Sequence, residues 1–374
     1  MSIDSVLDRY SAGAKAREEA LCCPVDYDPK LLQMLPDEVL QRDYGCGDPS
    51  RYVRPGDTVL DLGSGGGKIC FMAAQLVGEG GHIIGVDMND DMLALAREHA
   101  PAMAQRTGAP IDFHKGRIED LALSLDSAER WLAEQPVADS AALLRFEAWA
   151  REERLRTPMV ADASVDLVVS NCVLNLVDKT RRQQMIAEIF RVLKPGGRVA
   201  ISDIVSDEHV PESLQRDPEL WSGCISGAFQ EQEFLAAFVE AGFAAVAYDK
   251  WDAAPWQVVE GIEFRSVTLT ASKPHGSECL DRGHAVIYRG PFASVWDEEG
   301  HEFPRGERIA VCERTHAWLT AGPLAEHFIG ITPATLGQPV PMCAPSGTRR
   351  PAAETKGGAH SNGDANGGSG GGCC

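Results

Sequence analysis

The chain has 374 residues, 44% hydrophobic and 24% charged, which excludes a disordered protein and leaves room for one large domain plus a smaller one. Its 55 acidic against 35 basic side chains give a formal net charge of −20, which argues against a nucleic-acid partner but not against a small anion in a local basic pocket. No apolar run approaches the roughly 18 residues needed to cross a bilayer. The polar amino terminus (Asp4, Asp8, Arg9, Lys15, Arg17, Glu18, Glu19) shows no signal peptide, so a cytoplasmic location is expected.

In chain order, residues 1–50 read as a mixed helical arm, punctuated by Cys22-Cys23-Pro24 and by Tyr44-Gly45-Cys46-Gly47. From about Thr58 to Ala271 strand and helix patterns alternate, the signature of an α/β doubly wound, Rossmann-like sheet. Strands are predicted at Thr58–Leu62, His82–Asp87, Ile111–Lys115, Val165–Ser170, Arg198–Ile204, Ala244–Tyr248 and Phe264–Ala271, with helices near Lys68–Leu76, Asp90–Ala100 and Lys179–Leu193. The last helix stops at Lys194-Pro195-Gly196-Gly197. Residues of about 120–160, carrying Trp131, Phe146 and Trp149, read as one or two amphipathic helices inserted between the third and fourth strands. The predicted divisions are an arm (1–50), a ligand-binding domain (51–204), a segment completing the sheet (205–275), a small α+β domain (276–335), and a disordered Gly-rich tail (336–374) ending in Cys373-Cys374.

Val59-Leu60-Asp61-Leu62-Gly63-Ser64-Gly65-Gly66-Gly67 reads as a strand entering a glycine loop and then a helix. Such a loop lets the backbone approach a ligand closely, and the helix amino terminus receives a carboxylate or phosphate. Gly85-Val86-Asp87-Met88 places a carboxylate at the end of the second strand, where it can accept hydrogen bonds from ribose hydroxyls. A dinucleotide oxidoreductase would show a tighter Gly-x-Gly-x-x-Gly. Asp-Leu-Gly-Ser-Gly-Gly-Gly, Gly-Val-Asp and Leu-Lys-Pro-Gly-Gly together resemble class I S-adenosylmethionine methyltransferases. That resemblance implies cofactor contacts from Asp61, Gly63, Ser64, Gly65, Asp87, Met88 and Asn171. It also places the adenine at Gly116-Arg117-Ile118-Glu119, with apolar contact from Ile118 and an acceptor in Glu119.

The chain holds 11 cysteines, expected mostly as reduced thiols in an intracellular protein. None form Cys-x-x-Cys and no His-Glu-x-x-His occurs, so a zinc site finds little support. Tyr44-Gly45-Cys46-Gly47, Ser170-Asn171-Cys172-Val173-Leu174-Asn175-Leu176-Val177 and Leu220-Trp221-Ser222-Gly223-Cys224-Ile225-Ser226-Gly227-Ala228 resemble the three cysteine motifs of arsenite methyltransferases. The similarity extends over most of residues 20–335. It implies methyl transfer from S-adenosylmethionine to trivalent arsenic, with Cys172 and Cys224 as core ligands and Cys46 as the third. It further implies an electron-supplying pair of Cys46 with Cys22 or Cys23, reset by glutathione or thioredoxin. The chemistry is coherent, because trivalent arsenic is a soft acceptor that prefers thiolates and keeps a lone pair for an incoming methyl group.

Two features depart from the family pattern: Cys22 lies a few residues closer to Cys46, and the 120–160 insertion is larger. Cys70 is expected in the core; Cys279, Cys312 and Cys343 are expected to be structural or incidental. The terminal Cys373-Cys374 pair could capture arsenic on a flexible leash. A monomer is the simplest expectation. The alternatives are a small-molecule C- or O-methyltransferase with structural cysteines, and a metalloid-binding protein without turnover; thiolate ligation alone does not separate arsenic from antimony or tellurium.

Overall fold

The β-branched runs pair into one mixed sheet, seen in a computed structural model that describes residues 9–13, 25–42, 44–276, 278–321, 324–342 and 346–356. Cys22, Cys23, Cys343, Cys373 and Cys374 lie outside the described residues. The chain divides into two units, Met1–Pro274 and His275–Cys374. After short helices at Pro29–Leu32, Asp37–Gln41 and Pro49–Tyr52, the labelled elements of the first unit start with β1 (Thr58–Leu62), α1 (Lys68–Val77), β2 (His82–Asp87), α2 (Asp90–Thr107), β3 (Ile111–Arg117) and β4 (Asp120–Ser124). It continues with α3 (Leu125–Glu134), α4 (Ser140–Arg156), β5 (Val165–Asn171), α5 (Arg182–Val192), β6 (Leu193–Ser206) and β7 (Phe229–Gln230). It closes with α6 (Glu231–Glu240), β8 (Ala244–Trp251), β9 (Gln257–Val259) and β10 (Ile262–Ser272).

The sheet order is β4-β3-β2-β1-β5-β6-β10-β8, with β7 beside β6 and β9 beside β10. Strands β3, β2, β1, β5 and β6 run parallel, and β10 returns antiparallel to β6. The chain winds outward from β1 to β3 and then re-enters beside β1 as β5, with Leu62 level with Ser170. The strand order therefore reverses between β1 and β5, and a crevice opens outside their carboxyl ends, where ligands bind in such sheets. Residues alternate across the sheet. Leu60, Leu62 and Val168 pack with Met185, Ile186 and Ile189 of α5 on one face. Val59, Leu167 and Val169 pack with Phe71, Met72 and Leu93 on the other.

Local chemistry sets the element ends near the crevice. The Asn89 side chain accepts the Met92 amide, Asp90 and Asp91 occupy the first turn of α2, and Gly108 closes it in the left-handed conformation. In the insertion, Ser124 caps α3 and Asp139 caps α4. Trp131 stacks on Trp149 at 5.6 Å and meets Phe146 at 5.4 Å, pinning the two helices together. The short strand β4, antiparallel to β3, precedes these helices and was not expected from the sequence.

In the second unit, the labelled elements are β11 (Leu280–Asp281), β12 (Ala285–Tyr288), β13 (Ser294–Trp296), β14 (Glu302–Pro304), β15 (Arg308–Ala310), α7 (Glu313–Ala321), β16 (Phe328–Ile331) and β17 (Val340–Pro341). Strand β12 is the centre of a β15-β12-β16 sheet, over a small core of Val286, Tyr288, Phe303, Ile309, Leu319 and Phe328. Composition predicts disorder from residue 336, but part of that stretch is tied down. Val340–Pro341 pairs with β11, and Arg350 grips Asp281 with two bonds of 2.8 Å. Both bonds come from Nη2, and a charge-assisted pair of this kind is worth more than composition registers. Among the described residues, no helix is long and apolar enough to cross a membrane.

Candidate active site

A cavity of ≈ 330 Å³ sits at the carboxyl ends of β1, β2 and β5, within the range of small-molecule sites. Asp61, Gly63, Ser64, Gly65, Asp87, Met88, Ile118, Glu119 and Asn171 all line it, and Cys172 faces it as well. The glycine loop is tied to the end of β2 through Asp87, whose carboxylate accepts the Gly65 and Asn89 amides at 2.8 Å each. Burial raises the Asp87 pKa, and those backbone bonds pull it back down. Each of its oxygens keeps a further lone pair, as a ribose hydroxyl would require. A Cβ at Gly65 would meet open space, and the buried Ser64 Oγ has no hydrogen-bond partner, so backbone and hydroxyl are both presented to a ligand.

Two of the expected cofactor contacts have other work. Glu119 is held by Arg117 at 2.5 Å, with Arg181 at 3.8 Å. Asn171 spends its whole amide on other groups. Its Oδ1 accepts the Cys46 and Gly47 amides at 2.9 and 3.1 Å, and its Nδ2 donates to the Gly47 carbonyl at 2.9 Å and to the Tyr27 hydroxyl at 3.3 Å. Asn171 therefore clamps the Cys46 loop against the end of β5. The clamp explains the glycines of Tyr44-Gly45-Cys46-Gly47: a Cβ at Gly45 would lie 2.3 Å from Asn171 Nδ2, and one at Gly47 2.3 Å from Ser202 Oγ.

The fold brings Cys46, Cys172 and Cys224 to one place. Cys46 and Cys172 form a disulfide across 126 residues of sequence. The Cys224 thiol donates to the Cys172 carbonyl at 3.1 Å. The family resemblance implies a redox pair of Cys46 with Cys22 or Cys23, which lie outside the described residues; in the structure Cys46 is bonded to Cys172, the Asn171 clamp setting their two loops side by side. Cys172 and Cys224 hold left-handed backbone, with φ of 60° and 62°. Neither is glycine, and such a conformation costs a non-glycine residue roughly 1–2 kcal/mol. Strain of that kind persists where the surroundings impose it and concentrates at functional sites.

Three further residues organise the cluster without any motif to announce them. Asp203 is fully enclosed, and its carboxylate lies within 4.8 Å of the Cys46 and Cys172 sulfurs. It accepts the Leu174 amide at 3.0 Å and the Asn175 side-chain amide at 2.8 Å, and burial pushes its pKa up to about 7. Arg182, buried at the start of α5, donates to the carbonyls of Val177 (3.2 Å), Asn175 (3.3 Å) and Gly227. It thus staples the Cys172 loop to the Cys224 loop, with its guanidinium over the Phe229 ring at 4.2 Å. Burial lowers its pKa to about 10, which still leaves it charged at neutral pH. Tyr10 lines the same cavity and packs edge-on to Tyr44, so the amino-terminal arm contributes to the site. Cys70 is fully buried in α1 and donates to Asp61 at 3.3 Å.

Comparison with known proteins agrees with this geometry. A methyltransferase-domain family model matches residues 54–146 and 142–242, and a model described as a domain of unknown function matches residues 275–360. An arsenite methyltransferase of Aquipseudomonas alcaligenes is 34% identical over 345 residues, covering 87% of this chain and 89% of the relative. That of Mus musculus is 30% identical, covering 84% of this chain and 77% of the relative. The crystal structure of an arsenic(III) S-adenosylmethionine methyltransferase from Chlamydomonas reinhardtii superposes with a TM-score of 0.55 at 27% identity, covering 84% of this chain and 97% of that one. On this identity and coverage, with a class I methyltransferase sheet beneath three converging cysteines, the chain belongs to the arsenite methyltransferase family.

Proposed function

We propose that the protein transfers a methyl group from S-adenosylmethionine to trivalent arsenic held by the thiolates of Cys172, Cys224 and Cys46. The observation that carries this reading is the convergence of three cysteines from separate loops: Cys172 lines the cofactor cavity, Cys46 is bonded to its sulfur, and the Cys224 thiol donates to its carbonyl. Bound there, S-adenosylmethionine supplies an electrophilic methyl group. The chain's own part is to take arsenic from its oxygen or small-thiol ligands, to hold it by soft donors, and to aim its lone pair at that methyl group. Trp221, Tyr10 and Tyr44 wall the cavity.

Gaining a methyl group takes arsenic formally from the trivalent to the pentavalent state. Its return needs two electrons, which two ligating thiolates supply when their arsenic bonds break and a disulfide forms between them. The adjacency of Cys46 and Cys172 supports assigning that step to them, with their disulfide corresponding to its oxidised product. A small thiol such as glutathione, or thioredoxin, then reopens the bond by thiol exchange.

This cycle predicts that arsenite binding requires prior reduction. Protein with the Cys46–Cys172 bond intact should retain little arsenic at this site after gel filtration, whereas reduced protein should retain one additional equivalent. Equal retention in both states, with the disulfide verified by thiol titration, would remove this bond from the cycle. Asp87→Ala should leave arsenic retention unchanged and weaken S-adenosylmethionine binding about 10- to 100-fold by calorimetry, the loss of one to two charge-assisted hydrogen bonds.

A further inference from the structure

One buried thiol of the first unit, Cys70, takes no part in holding arsenic, yet it touches the cofactor cavity through a carboxylate. Along β1, Leu60 and Leu62 join the α5 side of the sheet, while Val59 joins the α1 side with Phe71 and Met72. Strand alternation sends Asp61 to that second side with Val59. A carboxylate only 2% exposed therefore sits among apolar neighbours, where it needs hydrogen-bond donors. Cys70, the third residue of α1, supplies one: its thiol donates to Asp61 Oδ2 at 3.3 Å. Helical side chains tilt toward the helix amino terminus, which here means toward the glycine loop and β1.

Asp61 lines the cavity beside Gly63 and Ser64, level with Gly85 of β2 and Val169 of β5. Cys70 meets the carboxylate from α1 and forms no part of the cavity wall. Burial and the neighbouring Asp61 charge raise the Cys70 thiol well above its usual value, so it stays protonated at neutral pH and serves as a donor rather than a nucleophile.

We propose, on the reading that S-adenosylmethionine fills this cavity, that Cys70 is a positioning residue for the cofactor. Its S–H fixes the Asp61 carboxylate in one orientation before the cofactor arrives. A carboxylate is otherwise loosely held about its last torsion, and ordering it in advance removes part of the cost of binding. Arsenic plays no part in this role.

Titration calorimetry of reduced full-length protein with S-adenosylmethionine provides the test. Cys70→Val keeps an apolar side chain of similar size and removes the donor, whereas Cys70→Ser keeps a donor and loses volume. The valine variant should bind the cofactor about 3- to 10-fold more weakly, the net worth of one hydrogen bond, and the serine variant within about twofold of the parent. A role in core packing alone would reverse that order, because a buried hydroxyl disturbs an apolar core more than valine does. In an Asp61→Ala background, Cys70→Val should weaken binding by less than about 1.5-fold further, since the acceptor it orients is gone. Both single variants should retain arsenite as the parent does, Cys70 lying outside the Cys46, Cys172 and Asp203 cluster. Parental cofactor affinity in Cys70→Val, or the same loss with and without Asp61, would overturn the proposal. A parent protein that binds no S-adenosylmethionine would overturn the cofactor reading and this role with it, a result seen before any variant is compared.

Discussion

Cys224→Ser and Cys172→Ser proteins should each bind S-adenosylmethionine normally and form no methylated arsenic, a loss of at least about 100-fold in every methylation step. A hydroxyl is nearly the size of a thiol but is a hard, neutral donor at pH 7, and trivalent arsenic discriminates strongly against it. The cofactor cavity draws its polar contacts from β1, the glycine loop and the end of β2, so cofactor affinity should survive both changes. Cys224→Ser is the cleaner of the two, because Cys224 lies outside the disulfide and its replacement leaves the Asn171 clamp on the Cys46 loop intact. Product speciation with a parallel cofactor-binding measurement checks both claims. Methylated arsenic at near-parental rates from the serine variants would mean that the cysteines are structural, as in a small-molecule C- or O-methyltransferase of the same fold.

Arg182→Ala should be the most damaging single change away from the thiols. Its guanidinium is enclosed and donates to three carbonyls from two loops, so alanine leaves those acceptors without their charged donor and opens a cavity beneath Phe229. Losing buried charge-assisted bonds of this kind costs about 3–5 kcal/mol. For a unit of this size, thermal unfolding followed by circular dichroism should show a Tm lower by roughly 10 °C. Activity should fall further than stability explains. The staple holds Cys172 and Cys224 in strained left-handed backbone, and without it both loops relax and the sulfurs separate. Arg182→Lys keeps the charge but cannot fork across both loops. It should recover most of the stability and little of the affinity for arsenite. Full methylation by the lysine variant would show that charge rather than bridging geometry is what the site needs.

The parts of the site visible in the sequence are those set by local chain geometry. A strand running into glycines, a carboxylate at the next strand end, and cysteines inside short recurrent motifs all announce themselves through spacing. The residues that remained hidden act across long sequence separations. Asp203 sits in an ordinary β-strand pattern, and nothing near it in sequence indicates that β6 carries it to the thiols. Arg182 reads as a helix-start residue until folding places the Asn175 and Gly227 carbonyls around it. Tyr10 belongs to an arm with no distinctive pattern.

The Cys46–Cys172 pairing is likewise a product of packing, and motif spacing carries no record of it. Asn171 shows the converse case. Its position at the end of β5 is legible, but its role depends on which backbone it meets, and it meets the Cys46 loop. The ordered stretch around Arg350 was hidden for a related reason. Composition averages over a segment, while one part-buried ion pair with Asp281 is enough to fix it.

Product speciation decides whether this cluster of thiols methylates arsenic. Reduced full-length protein is incubated with arsenite, S-adenosylmethionine and glutathione, and the arsenic species are separated and counted over time. Monomethylated and then dimethylated arsenic should form, with S-adenosylhomocysteine released in matching amount. Folded, cofactor-bound protein that retains arsenite and yields no methylated species would be a metalloid-binding protein in place of an enzyme.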